Sequence, residues 1–187
     1  MDSRGQAYST FQLLIAAVVA MAILAILIPI IMQVMGLITA NPTDETRSLL
    51  GSLIDAPGSM RTTKVVSFTP GADLSGGNLA EKVSLGKSQI CMSTGEFDRG
   101  FECLGCDTTD ASQQRLIYTG TTNMTAKIAV VCNKWVVDNG SVVEDGGLAA
   151  DLTDHKLDDI GGTSILEACT NICKENIKCC AIVLKRA

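Results

Sequence analysis

Leu13 to Met32 reads LLIAAVVAMAILAILIPIIM, twenty residues with neither a charge nor a side-chain hydrogen-bonding group. Such a run leaves few structural options. A helix that is apolar on every face is stable in lipid or inside protein, not in water. Twenty residues at about 1.5 Å each cross the roughly 30 Å hydrocarbon core of a bilayer. The apolar character resumes after Gln33 with Val34-Met35-Gly36-Leu37-Ile38. A continuous helix from Gln6 to Ala40 is then about 50 Å long, well beyond a bilayer core. The excess length needs a second apolar partner.

The run is suited to close helix packing. Ala16 and Ala20 lie one turn apart, as do Gly36 and Ala40, and small residues at that spacing let helix backbones approach. Pro29 removes one backbone donor, which lipid or adjoining helices tolerate better than isolation does. Arg4 precedes the run, and Asp44 and Glu45 follow it with Arg47. This balance favours the N-terminus inside and the C-terminus outside.

The edge before the run discriminates further. A secretory signal peptide has a shorter apolar core and a small-residue cleavage site after it. Here the small-residue junction lies before the run, at Arg4-Gly5-Gln6. Arg4-Gly5-Gln6-Ala7, then Tyr8-Ser9-Thr10-Phe11 and the long apolar helix, resembles the class III signal of type IV pilin-like proteins, the archaeal pilins above all. The resemblance covers Arg4 to Ala40 and is silent about the rest. It implies a leader of residues 1–5, cut between Gly5 and Gln6 by a membrane-embedded prepilin peptidase. It further implies a subunit held in the membrane until the pilus assembly machinery packs its helix, residues 6–40, into a helical homopolymer. Bacterial pilins usually carry Glu as the fifth residue after the cut, where this chain has Thr10; archaeal relatives often lack it. The alternative is a single-pass anchor carrying an extracellular binding or redox domain that does not polymerise.

Residues 41–187 are expected to form one extracellular head. The net charge is −5 and basic residues are not clustered, so nucleic-acid binding has no electrostatic footprint. Asn41-Pro42 starts a helix that carries Leu49, Leu50, Leu53 and Ile54 at helical spacing to about Asp55. Residues 64–69, 88–93, 115–119, 126–132 and 179–184 read as strands. Val136 to Val143 reads as a hairpin turning at Asn139-Gly140. Thr163 or Ser164 caps a helix running to Cys173. Residues 71–87, 94–114 and 144–163 read as Gly-rich polar loops. The fold class is α+β: a long N-terminal hydrophobic helix, then a disulfide-stapled, mainly antiparallel β head.

Eight cysteines, all beyond residue 90, point to an oxidising compartment. Cys91, Cys103, Cys106, Cys132, Cys169, Cys173, Cys179 and Cys180 allow 105 sets of four bridges, and the sequence does not choose among them. Cys169 and Cys173 share a helix face. Cys179 and Cys180 on a strand point to opposite faces and need different partners. Structural disulfides suit a chain with long loops and only 4% aromatic residues. A second reading is a four-sulfur zinc site from Cys103, Cys106, Cys169 and Cys173. A third is thiol redox chemistry at Cys103-x-x-Cys106, although that pair sits in an expected loop rather than between a strand and a helix. Asp107 after Cys106 excludes the haem-attachment pattern, which needs His there.

His155 is the only histidine, in an acidic loop, and no Ser or Cys with a plausible base partner can be named, so triad catalysis has no support. Glu144, Asp145, Asp151, Asp154, Asp158 and Asp159 make an acidic stretch without the alternating spacing of a calcium loop. Asn123-Met124-Thr125 and Asn139-Gly140-Ser141 are N-glycosylation sequons. The expectation is therefore a structural protein of an extracellular surface filament serving adhesion or cell contact. No catalytic residue, metal or cofactor is assigned.

Overall fold

The computed structural model describes residues 4–39, 41–86, 89–97, 99–106, 113–138, 141–142, 146–157 and 164–187. The chain divides into two compact units, Met1–Ile38 and Thr39–Ala187. The described residues of the first lie in one helix, α1 (Arg4–Thr39), which runs through Pro29 without a break.

The second unit mixes helices and strands. In chain order its elements are α2 (Pro42–Leu53), β1 (Met60–Thr62), β2 (Val66–Phe68), β3 (Asp73–Ser75), α3 (Gly76–Lys82), β4 (Ile90–Ser93), β5 (Phe101–Leu104) and β6 (Arg115–Tyr118). There follow β7 (Met124–Lys134), β8 (Val137–Asp138), β9 (Ser141–Val142), α4 (Gly147–Asp154), α5 (Ile165–Ile172) and β10 (Lys178–Arg186). The main sheet has the order β1-β7-β10-β4, with β2 also paired to β7. All its pairings are antiparallel except β10 with β4, which is parallel. A smaller antiparallel sheet runs β3-β6-β5.

Side-chain parity on β7 and β10 explains the layering. Ile128, Val130, Cys132, Cys180, Ile182 and Leu184 face one core with Leu50 and Leu53 of α2, Leu79 of α3 and Leu116 of the small sheet. Ala129, Val131, Cys179, Ala181 and Val183 face a second core with Leu148 and Leu152 of α4, Ile165, Ala168 and Ile172 of α5, and Trp135. Successive strand residues point to opposite faces, so a strand covered on both faces must be apolar throughout. This is why Ile128–Cys132 and Cys179–Leu184 read as unbroken hydrophobic runs. Phe101 joins the two sheets on the first side: its ring lies 4.9 Å from Phe68, edge to face, and 5.0 Å from Tyr118.

Three expected loops need correction. Residues 71–87 hold β3 and α3; Ser75 accepts a bond from Asn78 N–H at 3.4 Å and so caps α3, whose Leu79 and Ala80 are buried. Residues 94–114 hold β5, whose backbone pairs with β6 and whose Phe101 is buried. Residues 144–163 hold α4, where Leu148, Ala149 and Leu152 form a buried face one turn long. In each case a few apolar residues at the right spacing, placed over a sheet, outweigh the glycines and acids around them. The head is thus less purely β than its strand-rich segments suggest. β1 is a further strand without a sequence signal: Arg61 and Thr62 are exposed and only its pairing to β7 defines it.

Other boundaries agree closely. Asn41 Oδ1 accepts from Thr43 N–H at 3.0 Å, with Pro42 opening α2. β8 and β9 pair Val137 with Val142 and Asp138 with Ser141, on either side of Asn139 and Gly140, which lie outside the described residues. Ser164 occupies the N-cap of α5 without a side-chain capping bond, and Thr163 is outside the described residues.

Gly95 tests the packing between the end of β4 and β10. It sits at φ +55°, and a methyl group there runs into the carbonyl oxygen of Leu184. Gly95→Ala is expected to destabilise the head by about 2–4 kcal/mol, from left-handed strain plus overpacking. A urea midpoint unchanged from wild type would contradict this placement.

Candidate assembly helix and disulfide framework

α1 spans 36 residues, about 54 Å at the usual helical rise. Within it, Gln12–Pro29 is long and apolar enough to cross a membrane, and none of that stretch is buried within the chain. Leu13 is 71% exposed, Met21 68% and Ile26 64%, on different sides of the helix. No polar face interrupts this stretch. Water is a poor solvent for such a surface, so lipid or other apolar helices must cover it. Gly5 and Gln6 lie in the first turn of α1.

The eight cysteines form four disulfides, and none is free. Cys132–Cys180 joins the directly opposed positions of β7 and β10, with Cα atoms 4.1 Å apart. Cys91–Cys169 ties β4 to α5, and Cys173–Cys179 ties the end of α5 to the start of β10. Cys103–Cys106 closes a short loop at the end of β5. Cys179 and Cys180 do face opposite cores.

The zinc reading requires correction. Cys103 and Cys106 are bonded to each other beside the first core, whereas Cys169 and Cys173 lie in the second core, across the main sheet. The four sulfurs proposed from spacing do not meet. The thiol-redox reading is altered in one respect: Cys103 stands on a strand, β5, not in a loop. Residues 107–112, where a helix would have to begin, are outside the described residues.

A different group of sulfurs does meet. The Sγ atoms of Cys91, Cys169 and Cys173 all lie within 4.8 Å of one another and all three residues are buried. Cys173 Sγ is 3.8 Å from Cys91 Sγ, although the two belong to different disulfides. Sequence spacing hides this, because Cys91 comes from a strand far from α5 in the chain.

The remaining candidates divide. His155 ends α4, half-buried, its N–H donating to the Asp151 carbonyl at 3.0 Å. Asp151 accepts from Asn133 Nδ2 at 2.7 Å, so it serves a contact between α4 and β7. Glu144, Asp145, Asp158 and Asp159 are outside the described residues. Asn123 is exposed immediately before β7; the second sequon's Asn139 is outside the described residues. An open groove lined by Phe97, Arg99, Met124, Thr125, Arg186 and Ala187 holds two guanidinium groups. Arg186 already donates to the Glu96 carbonyl at 3.3 Å.

Searches of family models, curated proteins and solved structures match nothing to this chain.

Proposed function

We propose that this chain is a pilin-type subunit of an extracellular type IV pilus-like filament, archaeal in kind. In this reading α1 polymerises with copies of itself, and the disulfide-stapled head coats the surface for adhesion or cell contact. Prepilin peptidase and the assembly machinery act first, on a membrane-held precursor. The observation that carries it is the fully exposed apolar stretch Gln12–Pro29, set directly after Arg4-Gly5-Gln6. The helix is about 54 Å long, more than lipid alone covers, and packing among copies would satisfy both its apolar stretch and the apolar residues that follow it. The four disulfides suit a head working outside the cell, and no group of residues described above suggests catalysis.

The second reading is a single-pass anchored extracellular domain, favoured by the same 18-residue stretch, which lipid also satisfies. The two readings part at the mature N-terminus. Terminal sequencing is expected to begin at Gln6, with ordered filaments in electron micrographs of detergent-free material. A mature protein that begins at Met1 and stays monomeric would sink the filament.

A further inference from the structure

We propose that Cys91 is a shared partner for two sulfurs of α5, and that the Cys173–Cys179 bond is the latch that holds it on Cys169. The inference concerns the head alone and does not rest on filament assembly. Cys169 and Cys173 stand one helical turn apart, so both present sulfur on the same side of α5. That side faces β4, where Cys91 waits. Cys91 is bonded to Cys169, yet Cys173 Sγ is in van der Waals contact with it at 3.8 Å. Only the bond to Cys179 keeps Cys173 Sγ from being a nucleophile there.

The chemistry is thiol–disulfide exchange. A small thiol, attacking Cys179 Sγ, forms a mixed disulfide with it and releases Cys173 as thiolate. Rotation about its one side-chain bond, χ1, brings Cys173 Sγ into line with the Cys91–Cys169 bond. Its electron pair forms a Cys173–Cys91 bond, the Cys91–Cys169 bond breaks, and the electron pair leaves on Cys169 Sγ as thiolate. The exchange itself consumes no oxidant or reductant. The three sulfurs lie together, so the internal thiolate is held at high effective concentration beside the bond it attacks. Cys103, Cys106, Cys132 and Cys180 stand outside the group, in the other core.

Cys179→Ser removes the latch without external thiol. Tryptic mapping after acid quench, with fragment ions that separate Cys169 from Cys173, is expected to find two species. One holds Cys91–Cys169 with Cys173 alkylated; the other holds Cys91–Cys173 with Cys169 alkylated, at a tenth or more of the total. Cys91–Cys169 alone, with Cys173 alkylated throughout, would overturn the proposal. Wild-type protein supplies a test that is independent of the variant's folding. Under substoichiometric glutathione, Cys91–Cys173 should accumulate before Cys132–Cys180 opens. Opening of Cys173–Cys179 with no Cys91–Cys173 at any time point refutes the shared partner.

Discussion

Gly5→Leu is expected to leave the precursor uncut and to abolish filaments. The reasoning begins with the position of Gly5, directly before the apolar run and behind Arg4. In the proposed reading, the prepilin peptidase brings backbone into its site at this point. A residue without Cβ lets the chain approach closely, and a leucine side chain obstructs it. With the leader uncut, Met1-Asp2-Ser3-Arg4 stays attached to the helix, including a positive charge and an acid. Burying unpaired charge among packed apolar helices costs several kcal/mol per group, enough to prevent polymerisation. The head should be unaffected, because Thr39–Ala187 forms a compact unit of its own. Three measurements separate the outcomes: the mass of membrane-extracted protein, the filament yield, and the denaturation midpoint of the head. Uncut protein, no filaments and an unchanged midpoint are expected. Filaments at wild-type yield from this variant would remove the pilin reading.

What the sequence made legible follows from which forces are local. α1 is legible because its signal is composition sustained over many residues. The start of α2 is legible because Asn41 and Pro42 act within one turn. β7 and β10 are legible because burial on both faces leaves an uninterrupted apolar run. α3 and α4 were lost among glycines because each is a short helix stabilised mainly by the sheet it covers, a contact no local window contains. β1 was lost for the same reason: its exposed residues owe their strand geometry to β7. The sulfurs sort in the same way. Parity separated Cys179 from Cys180, since it depends only on their adjacency. The meeting of Cys91 with Cys169 and Cys173 depends on β4 lying beside β10 and beneath α5, which spacing along the chain does not encode. The zinc set drawn from spacing failed because its two halves lie on opposite faces of one sheet.

A large loss of head stability is expected when a bridge that closes a long loop inside the main sheet is removed. Cys132→Ala with Cys180→Ala deletes a cross-link spanning 48 residues, worth about 4 kcal/mol by loop-closure entropy. Both residues are fully buried in the first core, so the vacated sulfur volume adds about 1 kcal/mol. A domain of this size is stable by only about 5–15 kcal/mol, so the pair of changes uses up a large share of the margin. Cys103→Ala with Cys106→Ala provides the comparison. That bridge spans 3 residues at the end of β5, and its loss should cost about 2 kcal/mol or less. Urea denaturation of both double variants gives the ranking directly, with the free energy taken from midpoint and slope. Equal costs, or a larger cost at Cys103–Cys106, would mean that the strands hold their register without the sulfur and that the cross-link is redundant. The expected ranking means the reverse. The β7–β10 pairing is the seam on which both cores are built, and the Cys132–Cys180 bond fixes it at one register position.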